Sequence, residues 1–368
     1  MIVTLIAAGK RVGVTATSHK VITNLLDEVC RAARDEGVEV RGVQKAGEDS
    51  LCVDPMIERA ASNPKVLTAL TEDGANLAAG TVWLWVRPEM AESVDVLFVD
   101  EAGQISLANV LAASQAAESV VLLGDPQQLE QPQQGVHPPG ADVAALEHLV
   151  GGSTLAADRG LFLEETWRLH PEVCAFTSEL FYEGRLRARP DLGNQSVNAA
   201  PPFDGAGLRF VPVAHSGNSS ESSEEVKAVS ALLDELMSGQ ATWIDKAGAE
   251  HSLRIEDVLV VAPYNAQVAA LRAALPDGTR VGTVDKFQGQ EAPIVVYSTA
   301  SSSAQDAPRG MEFLFSPNRL NVATSRARCL AVLVGSPALL GSDCNSFRQM
   351  KLANRLCRFQ ELAEVLKV

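Results

Sequence analysis

Apolar residues fall along this chain in short continuous runs set between longer stretches of helical spacing. The runs at Val12–Ala16, Val38–Val43, Val96–Val99, 119–123, 208–213, 258–262, 294–299 and 331–335 suit strands buried on both faces of a parallel sheet, not strands with one face in water. Thr81–Val86 also has strand character and would place Trp83 and Trp85 on one face. Helical spacing is clearest over 20–35, where Val21, Ile22, Leu25, Leu26 and Val29 form a stripe, and over 106–117 and 224–238. Residues 1–8 followed by Gly9, Lys10 and Arg11 look like a helix end with its glycine stop. Residues 55–79 read as polar and helical, 186–206 and 215–225 as exposed loops, and 281–291 as a polar loop. The tail from 346 carries Leu352, Leu356, Phe359 and Leu366 at the spacing of a docking helix. Strand and helix alternate throughout, which predicts an α/β fold with parallel sheets.

The 368 residues are enough for about two ordinary domains. A Pro-, Gly- and Gln-rich stretch at 131–153 marks the division, giving domains at 1–150 and 151–340 and a helical tail at 341–368. Hydrophobic content of 46% and charged content of 21% are those of a globular protein. The formal net charge of -15 argues against a general polyanion binder but leaves room for a local basic channel. Six cysteines are scattered without a Cys-x-x-Cys pair, so neither a zinc site nor a disulfide framework is expected. No apolar stretch is long enough to span a bilayer, and the N-terminus lacks the basic region and cleavage site of a leader. A cytoplasmic address is the expectation, with no membrane partner.

Two runs end on carboxylates. Val96–Val99 delivers Asp100 and Glu101, and 119–123 delivers Asp125, Gln127 and Gln128, with Pro126 stopping the strand. The carboxyl edge of an open parallel sheet is where such folds bind ligands. An isolated Asp-Glu is ordinarily a solvated loop, but two neighbouring strands with polar ends form a cluster that a core does not need. Paired acids can divide nucleotide hydrolysis, one holding a metal and the other handling water, while Gln128 could hydrogen-bond a phosphate or that water. Thr17 and Ser18 stand between a strand and a helix, where hydroxyls and free amides can hold a phosphate; Ser18 fits a plain N-cap equally well. Trp167 beside Arg168 could stack on a base and neutralise a phosphate or simply pack at a helix start. Arg319 and Arg326, seven positions apart, would share a helix face.

Val-Asp-Glu-Ala-Gly-Gln, Gly-Asp-Pro-Gln-Gln-Leu, Trp-Arg-Leu-His-Pro, Val-Asp-Lys-Phe-Gln-Gly-Gln-Glu and Asn-Val-Ala-Thr-Ser-Arg-Ala-Arg follow one another in this order. Together they resemble the superfamily 1 helicases, in particular the group of the nonsense-mediated-decay RNA helicase and related DNA helicase-nucleases, from Thr15 to about Gly335. The resemblance implies two RecA-like domains, ATP with Mg2+ as cofactors, and single-stranded nucleic acid as partner, DNA ahead of RNA. It implies that Asp100 holds magnesium, Glu101 activates water and Gln128 senses the γ-phosphate. Trp167 would lie beside the adenine, and Arg168 and Arg326 would reach the γ-phosphate. Gln288, Gly289 and Glu291 would link the nucleotide to strand movement, and Thr17, Ser18, Tyr264 and Thr283 would lie near the strand backbone.

The chain departs from the family pattern at one place. A Gly-x-x-x-x-Gly-Lys-Ser/Thr loop should precede the helix that ends at Gly9, and Gly9-Lys10 closes a helix instead of opening one. The loop would bring the phosphate cradle, the lysine and a metal-binding hydroxyl, and its strand is expected beside the one ending at Asp100. The first domain is therefore expected to be truncated. Two activities follow as expectations: an ATP-dependent helicase or translocase whose intact form hydrolyses ATP while this chain alone does not, with room for a nuclease domain upstream; or a non-hydrolysing nucleic-acid-binding or scaffold module.

Overall fold

The computed structural model describes residues 1–47, 50–129, 138, 143–151, 160–200, 203–287 and 289–366. The chain divides into two compact units, Met1–Arg159 and Gly160–Val368.

Unit 1 is built on six parallel strands, β1 (Val12–Thr15), β2 (Gly42–Gln44), β3 (Ile57–Arg59), β4 (Leu77–Ala79), β5 (Val94–Val99) and β6 (Ala117–Leu122). Their order across the sheet is β3-β2-β4-β1-β5-β6. Helices cover both faces, so the strand interiors are apolar on both sides, as their continuous runs predict. Val12, Val14, Leu77, Ala79 and Phe98 pack with Ile2, Ile6, Ile22, Leu26 and Val29 from the helices at Ile2–Ala7 and His19–Glu36. On the other face Val43, Leu97 and Val99 pack with Leu70, Trp85 and Val110 from the helices at Asn63–Thr71, Val82–Trp85 and Leu107–Ser114.

Several expectations are corrected here. Residues 55–79 are not one helix but strand, helix and strand (β3, Asn63–Thr71, β4), because three-residue strands are too short to show a period. The expected strand at Thr81–Val86 is a helical turn, Val82–Trp85. Trp83 is accordingly 71% exposed while Trp85 is fully buried. Its ring fills the space over Gly13, where an added Cβ would lie 2.8 Å from the indole. Its Nε1 donates to the Val14 and Gly80 carbonyls at 3.2 Å each. The strand expected at 38–43 begins at Gly42.

The position expected for a missing strand also changes. β5 has a neighbour on each side, β1 and β6. The edge strand is β6, which among the described residues pairs on one side only. Val120, Val121, Leu122 and Leu123 at that edge are half-buried, packed against the cores of both sheet faces.

Unit 2 begins with one short two-stranded ribbon and an antiparallel insert. β7 (Glu165–Thr166) pairs with β8 (Arg187–Ala188), and β9 (Ser196–Asn198), β11 (Thr242–Ile244) and β12 (Glu250–Ser252) form a three-stranded antiparallel sheet. The main sheet is again six parallel strands, β10 (Gly207–Pro212), β13 (Val258–Ala262), β14 (Arg280–Thr283), β15 (Ala292–Ser298), β16 (Ala327–Gly335) and β17 (Glu364–Val365), in the order β14-β13-β15-β16-β10-β17. Val226, Val229 and Leu233 of the helix Ser223–Ser238 join Val260, Val296 and Val332 in the core. The tail helix Phe347–Leu362 buries Leu352, Leu356 and Phe359, with Phe359 edge-on to Phe176 at 5.2 Å.

Two more corrections belong to unit 2. The expected loop at 281–291 opens inside β14 and continues as a 3-10 turn, Val284–Phe287. The helix that begins at Pro317 ends at Thr324, so Arg319 lies on it and Arg326 beyond it. They do not share a helix face.

Candidate functional site

In unit 1 the carboxyl ends of β1, β5 and β6 stand side by side, parallel and in register, with Val99 opposite both Thr15 and Leu122. The sheet therefore brings three predicted groups to one edge: Thr17 and Ser18 after β1, Asp100 and Glu101 after β5, and Gln128 after β6. Thr17 and Ser18 are exposed. Ser18 Oγ accepts the Val21 amide at 3.3 Å, so Ser18 is an N-cap in addition to any other part it plays.

The loops after β5 and β6 are tied together. Ala102 N–H donates to the Leu123 carbonyl at 2.8 Å, and a Cβ on Gly124 would come within 3.0 Å of the Ala102 nitrogen. A larger residue at 124 would push the two loops apart by a few tenths of an ångström. Asp125 organises its own turn, accepting the Gln127 amide at 2.9 Å and the Gln128 side-chain amide at 3.0 Å.

Asp100 is half-buried, and burial pushes its carboxyl above the usual carboxylate range, with the Glu101 amide at 2.9 Å opposing that rise. A desolvated carboxylate of this kind gains from a cation. Glu101 itself sits at φ +53, a left-handed conformation that costs a non-glycine residue about 1–2 kcal/mol. Such strain is held where geometry matters more than stability. Nearby, the Thr15 hydroxyl, His19 Nδ1 and Gln104 Nε2 are buried without hydrogen-bond partners among the described residues. All three follow or end β1 and β5 at this same edge, where buried polar atoms ordinarily find partners. Among the described residues no group of three or more His, Cys, Asp or Glu side chains stands together to hold a metal alone.

Unit 2 distributes its predicted residues over both ends of its sheet. At the amino end, Glu291 precedes β15 and Arg326 precedes β16, with the Ala292 amide donating to the Arg326 carbonyl at 3.0 Å. Arg326 is buried, 3% exposed. Glu291 is gripped by Arg168 and by Arg328, whose Nε donates at 3.0 Å. Burial pushes the Glu291 carboxyl up, but the hydrogen bonds and charges of Arg168 and Arg328 outweigh it and hold it below the usual range. Trp167 is 62% exposed, with the Arg189 guanidinium 3.7 Å and the Lys246 ammonium 5.8 Å from its ring centroid. At the carboxyl end stand Tyr264, following β13, and Thr283, the last residue of β14, with Ala262 and Thr283 paired. The turn Val284–Phe287 follows β14 at the carboxyl end and Glu291 precedes β15 at the amino end, with Gly289 at φ +74 between them. Gln288 lies outside the described residues.

Sequence reasoning left several contacts unassigned. Arg328 shares Glu291 with Arg168, and Gln195 Nε2 donates to the carbonyls of Arg168 at 2.8 Å and Arg328 at 3.3 Å. The signal for Arg328 lay in its alternation with Arg326 at the head of β16. Nothing in the sequence pointed to Gln195.

Comparison with known proteins adds the family. Residues 144–338 match the model of the AAA domain, and residues 52–175 match that of the viral superfamily 1 RNA helicase core domain. The protein mov-10-B.2 of Danio rerio, named as a helicase, is 29% identical over 288 residues, covering 67% of this chain and 28% of that protein. The 3'-5' exoribonuclease HELZ2 of Homo sapiens is 29% identical over 283 residues, covering 66% of this chain and 9% of that protein. The chain thus spans less than a third of either relative. Among solved structures, the arterivirus nonstructural protein 10 helicase in complex with DNA has a TM-score of 0.49 and 13% identity, covering 91% of this chain and 56% of that one.

Proposed function

The chain belongs to the superfamily 1 helicases, and from that premise we propose that its two RecA-like units hydrolyse ATP and use the turnover to move along a single nucleic-acid strand. The observation that carries this reading is the common edge of β1, β5 and β6, which collects Asp100, Glu101, Gln128, Thr17 and Ser18. A buried core does not require that set; phosphoryl transfer does.

The residues present fit magnesium and nucleotide. Magnesium takes one or two carboxylates and completes its shell with phosphate oxygens and water. Asp100, desolvated and accepting one amide, is a donor of that type. When bound, the metal neutralises charge on the phosphates. Glu101 orients and deprotonates water, Gln128 contacts the γ-phosphate, and Trp167 takes the adenine. Arg168 and Arg326 supply positive charge to the transition state, and Gln288, Gly289 and Glu291 connect the nucleotide to the strand. Thr17, Ser18, Tyr264 and Thr283 lie along the strand backbone.

A further parallel strand fits the edge of β6 that is unpaired among the described residues, where the half-buried run Val120–Leu123 would gain the apolar cover that an inner strand of a parallel sheet has. The strand is RNA or DNA; a relative named as an exoribonuclease puts RNA level with DNA.

The test is ATP turnover by the longest natural form of the protein, measured with and without single-stranded RNA and DNA. Stimulation by strand is expected. Equal rates at every strand length would overturn the reading.

A further inference from the structure

Tyr264 is matched to the strand backbone, yet it is only 7% exposed, too covered to be the main contact. What lies against it is Phe313, at 5.6 Å between ring centroids and 31° between ring planes. Phe313 in turn has two guanidinium groups over it, Arg309 at 4.0 Å and Arg319 at 4.3 Å from the ring centroid. The two arginines differ. Arg319 is ion-paired to Asp285 at 3.1 Å and its side chain is 18% exposed. Arg309 is exposed, and among the described residues it has no ion pair with a carboxylate. Both charges act on the Tyr264 phenol, so the group forms one cluster at the carboxyl end of the unit 2 sheet, beside Thr283.

An arginine laid on an aromatic ring has lost part of its rotamer freedom before any ligand arrives. Its planar fork remains able to take two phosphate oxygens. In a chain of net charge -15, a local cation at the predicted strand position is what attraction of a polyanion requires.

We propose that Arg309, held in place by Phe313, binds a phosphodiester group of the single strand on unit 2. This rests on the strand-translocating reading above and names a contact for it. The partner is recognised by its phosphate, which RNA and DNA share.

The experiment is equilibrium binding of the 368-residue chain to labelled RNA and DNA strands of about 16 nucleotides over a series of salt concentrations. Loss of one phosphate contact lowers the slope of log affinity against log salt by about 0.7 on a single strand. Arg309→Ala is expected to lower the slope by that amount on both nucleic acids, and Arg309→Lys to keep it. Phe313→Leu, which keeps the charge but removes its platform, is expected to weaken binding with the slope retained. Arg309 is exposed, so its variants should melt with the parent, and this is checked by circular dichroism. If the parent binds and Arg309→Ala has the same slope, the assignment is overturned while the translocase reading stands. A loss confined to RNA overturns the phosphate assignment in favour of a ribose contact. If the parent binds neither strand, this assignment falls, and strand-stimulated ATP turnover of the longest natural form decides the translocase reading separately.

Discussion

The Arg168 guanidinium donates to the carboxylate of Glu291, 123 positions further along the chain. The arginine matched to the γ-phosphate is therefore already neutralised by a carboxylate. That carboxylate is shared with Arg328, and the arginine backbones are fixed by Gln195. Under the proposed function, a phosphate that engages Arg168 would have to compete with Glu291, and nucleotide arrival would change contacts inside unit 2 at this pair.

Glu291→Gln should weaken this junction by about 1.5–3 kcal/mol, the range for hydrogen bonds to charged groups. The sign with pH follows from the depressed carboxyl. The stabilisation is fully present above the ordinary glutamate value of about 4.3 and is lost as pH falls through the lower folded one. Melting temperatures of parent and variant should differ at neutral pH and converge in acid. A difference that persists unchanged into strong acid would contradict the ion-pair account.

Glu101 carries two predictions because it is strained. Glu101→Gln in the longest natural form should retain nucleotide binding and lose turnover by about 10²–10⁴-fold, the range for a general base. Glu101→Gly should abolish turnover, and its backbone contribution to stability should be unchanged or slightly favourable. Relief of the left-handed conformation, about 1–2 kcal/mol, meets a glycine entropy cost of about 0.5–1 kcal/mol. A large fall in melting temperature for Glu101→Gly would show that the side chain has a structural duty instead.

The elements that the sequence revealed are those whose burial is continuous. β5, β13, β15 and β16 carry unbroken apolar runs, and the helices at His19–Glu36 and Ser223–Ser238 carry long stripes. What escaped was short or decided by distant partners. β3 and β4 have three residues each, and the turn at Val82–Trp85 is helical because Trp85 must reach the space over Gly13, which no local propensity encodes. At the site, the adjacency of β5 and β6 was foreseeable from runs ending in polar residues, whereas the place of β1 beside β5 was not. The Arg168–Glu291–Arg328 junction was not, because a salt bridge across 123 positions leaves no periodic trace.

Asp100 gives a pH dependence of opposite sign. Burial raises its folded value, so the native state binds that proton more tightly than the unfolded one. Stability contributed by the protonated form is lost as pH rises from the ordinary aspartate value of about 3.9 through the raised one. Asp100→Asn keeps an acceptor for the Glu101 amide and carries no charge. It should melt at or above the parent at pH 7, with the gap closing in acid, while ATP turnover in the longest natural form is abolished. Magnesium with nucleotide should raise the melting temperature of the parent and not of the variant; equal shifts in both would remove Asp100 from the metal site.

The two tryptophans near Gly80 separate burial from composition. Trp85 is fully enclosed and donates to two carbonyls at 3.2 Å, so Trp85→Phe removes a donor from the Gly80 oxygen and leaves a void where the larger ring stood, while the Val14 oxygen keeps the Gly80 amide at 3.1 Å. The expected loss is about 1–3 kcal/mol for the Gly80 carbonyl, with a further cavity cost. Trp83, 71% exposed, has no such duty, and Trp83→Ala should stay within about 0.5 kcal/mol of the parent. Urea unfolding of the two variants measures the contrast. Equal destabilisation would restore the view that both rings share one buried face, and would place a strand where the helical turn Val82–Trp85 now stands.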